Sequence, residues 1–222
     1  MSLCIKLFLL ALLITGASLF ASAQTSLDDQ DFQVWQDLQV SIPVHKDLDL
    51  FLQGYFRFGS DATQLTEARG GAGVVWKINK ALSVSPVLYY LQARNTAGEL
   101  KQEIRYTMRG TYKFPTKKFG LSHRSLLEYR VRSVGNSFRY RPSLTIDKAL
   151  PEHLLSKAKI YATEEPFYVS TTHSFSTNRF TMGVSKYVNP HFTLDVYYVQ
   201  QNNGHSHPRD YNVLASTWRV RL

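Results

Sequence analysis

Leu100 to Phe114 reads LKQEIRYTMRGTYKF. Taken alternately, Leu100, Gln102, Ile104, Tyr106, Met108, Gly110, Tyr112 and Phe114 fall on one side. Lys101, Glu103, Arg105, Thr107, Arg109, Thr111 and Lys113 fall on the other. A period of two marks an extended strand, whose successive side chains point to opposite faces. Here one face carries no charge and the other carries charges of both signs. A soluble sandwich or lipocalin-like barrel would bury the first face and solvate the second. A strand in a lipid bilayer does the reverse, because a lipid-facing charge costs ~2–4 kcal/mol at mid-depth.

The same rhythm runs outward from this stretch in both directions. Upstream lie Phe32 to Ile42, Leu48 to Phe58, Glu67 to Ile78 and Leu82 to Ala93. Downstream lie Phe119 to Ser133, Ser137 to Asp147, Lys157 to Glu165, Thr177 to Val188, His191 to Gln201 and Tyr211 to Leu222. In the second run Leu48, Leu50, Leu52, Phe56 and Phe58 oppose Asp49, Gln53, Tyr55 and Arg57; in the third, Ala68, Ala72, Val74, Trp76 and Ile78 oppose Glu67, Arg69 and Lys77. Most runs exceed the five or six residues usual for a globular strand. A strand tilted by ~45° needs about 11 residues to cross an apolar band of ~25 Å. The runs fit that requirement, and no edge strand can stay unpaired in lipid, so the sheet must close.

These features predict an all-β protein: a closed antiparallel transmembrane β-barrel of 10–12 strands. Eleven runs are legible, but single-chain bacterial barrels have even strand numbers. Twelve is the favoured count, reached if Gln24 to Gln30 adds a short strand. Ten results if Lys157 to Glu165, the weakest alternation, stands outside the wall. Pro86 and Pro142 fall inside runs and each removes a ladder hydrogen bond, which predicts a bulge or a strand end at each. The connections PVHK, NKA, PTKK and VNP are tight. Those at Gly59–Leu65, Pro166–Ser176 and Asn202–Arg209 read as longer, as expected if periplasmic turns alternate with external loops. KALPEHLLS departs from the pattern.

The first 23 residues read as a cleaved signal peptide. Lys6 supplies the positive charge, Leu7 to Ile14 (LFLLALLI) the apolar core, and Ala21-Ser22-Ala23 the small-residue cleavage site. Residues 24–222 then form a single barrel domain. The one cysteine, Cys4, precedes the apolar core, so the exported chain has no thiol for disulfides or lipid attachment. Lys and Arg number 26 against 17 Asp and Glu, a formal charge of +9. Thirteen Tyr beside thirteen Phe suit a boundary between apolar and wet phases. Export and strand-bound arginines argue against a nucleic-acid partner. Contact with outer-membrane lipids and the phosphates of lipopolysaccharide is the natural use of outward basic groups.

The stretches YRPSLTIDKALP, KIYATEEPFY, NRFTMGVSKYVNPHFTLDVYYVQQ and the final WRVRL carry a resemblance. Over about Asp31 to Leu222 the chain resembles the outer-membrane barrel family grouped as a domain of unknown function (DUF2490), with Glu164 to Phe167 and Asn178 to Phe180 as the most telling segments. The resemblance implies a barrel in the outer membrane of a Gram-negative bacterium, inserted by the barrel-assembly machinery, with no catalytic residues and no cofactor to carry over. The chain ends in Leu222 where such barrels usually end in an aromatic residue; Trp218, Val220 and Leu222 keep the alternation.

Parity sends a charged cluster to the lumen: Arg57, Glu67, Arg69, Lys101, Glu103, Arg105, Arg109, Arg124, Glu128, Arg130, Arg132, Arg139 and Arg141, with Asp147 nearby. Two readings are open. Fixed guanidinium charges can line a narrow anion-preferring pore, or interlocked Arg–carboxylate pairs can fill a small barrel. On the opposite face, His123 and Ser125 sit two apart with Leu121, Leu127 and Tyr129. A base beside a serine at the membrane surface is the pattern of a lipid-modifying hydrolase such as a lipid A deacylase, although no acidic orienter shares that face. A polar pair at headgroup level is the plainer reading. A soluble exported barrel binding an apolar ligand is the third alternative. His205 and His207 before Pro208, with Asp210 beyond, give too few ligands for a metal site. No metal or cofactor is expected, and oligomeric state is not legible.

Overall fold

A computed structural model describes residues 29–95 and 98–222. The predicted signal peptide, Cys4 and Gln24 to Asp28 lie outside the described residues. The chain forms eleven strands: β1 Gln30–His45, β2 Leu48–Gly59, β3 Gln64–Lys77, β4 Leu82–Arg94, β5 Leu100–Lys113, β6 Gly120–Arg132, β7 Ser137–Ala149, β8 Ala158–Val169, β9 Ser174–Asn189, β10 Phe192–Asn203 and β11 Asp210–Arg221. Each pairs with its sequence neighbours, and β1 pairs with β11 to close the barrel.

An even number is not needed. Ten contacts are antiparallel, and the closing contact is parallel, running without a break from Gln30 opposite Asp210 to Ser41 opposite Arg221. A meander with an odd number of strands brings its first and last strands together pointing the same way. A parallel ladder satisfies the backbone groups of both edges as lipid requires. Gln30 is the first residue of β1, and the weakest run is β8, extending past Glu165 to Val169. The parallel closure puts Asp29 and Leu222 at opposite ends, here termed upper and lower.

The faces divide as a membrane wall demands. Outward Leu88, Tyr106 and Leu144 are 49%, 54% and 50% exposed, while inward Arg105 and Glu128 are 4% and 2% exposed. A soluble barrel would show the opposite. Aromatic residues gather at both rims, where amphipathic rings meet headgroups. At the lower end Tyr112 packs edge-on to Phe114 (centroids 5.0 Å apart) and Phe192 lies 5.7 Å from Trp218; at the upper end Tyr168 lies 5.6 Å from Phe175.

Both prolines interrupt a ladder while the strand continues. Register between β3 and β4 is the same on either side of Pro86, with Gly73 opposite Val87 and Trp76 opposite Val84, and no pairing between. Ser85 Oγ bridges part of the gap by donating to the Val74 carbonyl at 2.7 Å. Around Pro142 the β7–β8 ladder breaks between Tyr140–Tyr168 and Leu144–Glu164, again in constant register. The expected bulge or strand end is therefore absent at each, because the proline's other neighbour keeps pairing: Pro86 with Met108, Pro142 with Ser125. Beside Pro86 the backbones come close. A Cβ on Gly73 would stand 2.2 Å from the Pro86 carbonyl oxygen, so only glycine fits.

The contrast between long external and short periplasmic connections does not hold. The β2–β3 turn needs only Ser60 to Thr63, since Ser60, Asp61 and Ala62 all adopt left-handed φ (51°, 55° and 62°). The β8–β9 turn is Ser170 to His173, and the longest connection is the lower-end segment Leu150 to Lys157. Strands run on into sequence that composition alone marks as loop.

Candidate functional site

The lumen is built in layers by the inward residues of successive strands. Near the upper end, Arg105 and Arg130 face each other across β5 and β6, and Glu103 sits one position above Arg105 on the same face. Glu103 accepts two bonds from Arg130, Nε to Oε1 and Nη2 to Oε2, each 2.7 Å, and a third from Arg105 Nε at 2.9 Å. In the next layer Glu128 pairs with Arg139 and lies 3.6 Å from Arg105 Nη1 and 3.5 Å from Arg141 Nη1. Glu165 on β8 accepts from Arg141 Nη2 at 2.7 Å, approaches Arg179 Nη1 at 3.5 Å and pairs with Arg124. On the facing wall Arg57 Nη1 meets Glu67 Oε2 at 3.5 Å. Each of Glu103, Glu128 and Glu165 thus holds at least two arginines.

Aromatic rings support the guanidinium groups. Trp35 lies under Arg57 and Arg179, with charge centre to ring distances of 4.1 and 4.9 Å. Phe167 lies under Arg141 and Arg179 at 4.1 and 4.9 Å. Such contacts contribute roughly 0.5–2 kcal/mol each, more when desolvated. Below them Trp35, Tyr55, Val199, Val213 and Ala215 form one buried cluster, and Phe51, Val87 and Tyr89 a second. These clusters narrow the lumen. Above them lies a cavity of about 200 Å³, lined by arginines of β2, β5, β6, β7 and β9 together with Gln201, Asn203 and Tyr211.

Of the residues parity sends inward, Arg57, Glu67, Arg105, Arg130, Arg139 and Arg141 line this chamber. Glu103 and Glu128 anchor its arginines, and Arg124 reaches Glu165. Arg132 donates to Ser137 Oγ at 3.1 Å. Lys101 lies at the rim, exposed and 2.9 Å from Glu99. Arg69 and Arg109 stand apart. The Arg69 guanidinium lies 4.4 Å from the Tyr55 ring and 4.9 Å from the Tyr89 ring, and that of Arg109 5.8 Å from Phe51. Among the described residues neither forms an ion pair or a hydrogen bond, and the Nε of each is buried without an acceptor.

Two members of the site escape the sequence reading. Glu165 closes the run Lys157 to Glu165 beside Glu164, and only the continuation of alternation through Phe167 shows that Glu165 faces inward and Glu164 outward. Arg179 shares its inward face with Thr181 and Gly183 and alternates with outward Phe180, Met182 and Val184, so the period of two in β9 is the signal that finds it. A lower ring is also charged: Asp49 with Lys77 and Arg221 (2.8 and 3.0 Å), Asp195 with Arg219, and Asp147 with Lys159 (3.4 Å).

On the outer wall His123 Nε2 lies 3.0 Å from Ser125 Oγ, which is 3.3 Å from the Tyr140 hydroxyl. The three polar groups satisfy one another across β6 and β7 in a face turned to lipid. At the upper end, His207 Nδ1 lies 2.7 Å from Asp29 Oδ2, so one of the two loop imidazoles is engaged by a carboxylate.

Comparison with known proteins follows the fold. The structure resembles that of a KdgM porin, with a TM-score of 0.46 and 13% identity, over 79% of this chain and 92% of that one. It also resembles an anion-selective porin from Comamonas acidovorans, with a TM-score of 0.39 and 15% identity, over 76% of this chain and 55% of that one. No curated protein sequence matches. Residues 32–212, nearly the whole barrel, match the family described as protein of unknown function DUF2490, and the chain belongs to that family.

Proposed function

We propose that this barrel sits in the outer membrane of a Gram-negative bacterium and passes small anions through a narrow, arginine-lined lumen. The observation that carries the reading is Arg69 and Arg109, two inward arginines with no carboxylate partner. In a barrel merely filled by ion pairs, every buried guanidinium would be matched, because an unpaired charge taken out of water costs several kcal/mol. Inward guanidinium groups without a counter-charge lower the barrier for negative solutes instead. Lipopolysaccharide would surround the rim in the outer leaflet, and insertion would use the barrel-assembly machinery.

Planar-bilayer recording on refolded protein in a salt gradient tests this. Reproducible current steps with an anion-selective reversal potential are expected. Arg69→Gln with Arg109→Gln should lower the anion-to-cation permeability ratio several-fold while the barrel still shows heat-modifiable migration. Silence under these conditions would leave a filled structural barrel.

The 3.0 Å contact between His123 and Ser125 favours a second reading, surface hydrolysis of a lipid ester. The serine would need its proton taken by His123, whose ring would need orienting through Nδ1. Among the described residues no carboxylate reaches that nitrogen, while Tyr140 shares the serine hydroxyl. Lipid A from cells carrying Ser125→Ala is therefore expected to show an unchanged mass profile; a change in acyl number would restore the enzyme reading.

A further inference from the structure

The chamber near the upper end of the lumen carries more positive charge than its surroundings cancel. Six guanidinium groups line it, those of Arg57, Arg105, Arg130, Arg139, Arg141 and Arg179. The carboxylates paired with them are Glu67, Glu103, Glu128 and Glu165. Six against four leaves at least two positive charges without a counter-charge, and Glu165 is further shared with Arg124, around a space of about 200 Å³. Two lining residues also hold buried donors with no acceptor, Arg141 Nε and Asn203 Nδ2. Arg139 uses only its Nε in hydrogen bonding, toward Glu128, so its two terminal nitrogens remain free to donate.

We propose that this chamber is a binding site for compact dianionic oxyanions of the sulfate and hydrogen-phosphate type. Two negative charges would offset most of this excess. A tetrahedral set of oxygens would meet several guanidinium forks at once, the arrangement in which arginine binds oxyanions most strongly. Chloride brings one charge and no fixed set of acceptor directions, so it matches less well. The proposal rests on the anion-pore reading for how the solute arrives, and makes the chamber the point where the solute is selected.

Trp35 supplies a reporter that needs no current. It lies against Arg57 and Arg179, 2% exposed inside the lumen, whereas Trp76 and Trp218 face outward. In the refolded full-length barrel, sodium sulfate titrated at constant ionic strength should produce a saturable change in tryptophan fluorescence. Half-saturation is expected at least 10-fold below any response to chloride. The double variant Arg139→Gln/Arg179→Gln removes two positive charges from the lining, yet Glu128 keeps Arg105 and Arg141 and Glu165 keeps Arg124 and Arg141. It should weaken sulfate at least 10-fold. Arg221→Gln, at the lower end, should leave sulfate binding unchanged. Equal responses to sulfate and chloride in the unmodified protein, or unaltered sulfate binding in the double variant, would overturn the site. A protein that binds sulfate but carries no current keeps the site and loses the pore; one that conducts anions without saturable binding keeps the pore and loses the site.

Discussion

Glu128→Gln is expected to destabilise the barrel by about 3–5 kcal/mol, the range for removing one member of a buried charge network. Glu128 is 2% exposed and touches Arg105, Arg139 and Arg141. Its loss leaves Arg139 with no carboxylate, while Arg105 retains Glu103 and Arg141 retains Glu165. Glutamine preserves the shape and one acceptor, so the effect isolates charge. The reverse change, Arg139→Gln, leaves Glu128 with two arginines and should cost less than half as much. This asymmetry follows from arginines outnumbering carboxylates in the lumen. Denaturant titration of both variants in lipid vesicles measures it; equal losses would mean that the arginines are not competing for scarce counter-charge.

Much of this arrangement is legible from alternation alone. Leu100 to Phe114 places Glu103, Arg105 and Arg109 on one face, and the lumen holds all three. Face assignment is local: one strand with charged and apolar residues in alternation suffices. Closure is not local. The seam joins residues roughly 180 positions apart in pairs such as Ser216 donating to Gln36 at 2.6 Å, and nothing within either strand says whether its edge partner runs parallel or antiparallel. The expectation of an even count came from the habits of bacterial barrels rather than from these residues. The prolines depart from expectation for a related reason. A missing ladder bond opens only one side of a strand, and Pro86 and Pro142 each keep an intact neighbour on the other side. Glu165 is hard to place because Glu164 beside it is also charged, whereas the alternation of Arg179 with outward Phe180 and Met182 is enough to mark it as inward.

Leu88→Arg is expected to cost ~2–4 kcal/mol in a bilayer, whereas an arginine at Val188 should cost ~0–1 kcal/mol. Leu88 lies mid-strand on the outer wall, opposite Ala72 on β3 and Tyr106 on β5. Val188 lies at the lower end of β9, next to the irregular pairing beside the β9–β10 turn. Both side chains are about half exposed on the isolated barrel (49% and 50%), so area against water does not distinguish them. Depth in lipid does, because only the rim lets a guanidinium reach water or phosphate without drawing defects into the hydrocarbon. In a soluble barrel both substitutions would sit in solvent and cost little. Guanidinium titration in vesicles, read by heat-modifiable migration, gives the comparison. A cost at position 88 no greater than at position 188 would mean that the apolar face does not meet acyl chains, and the arginine-lined lumen would then be the inside of something other than a membrane barrel.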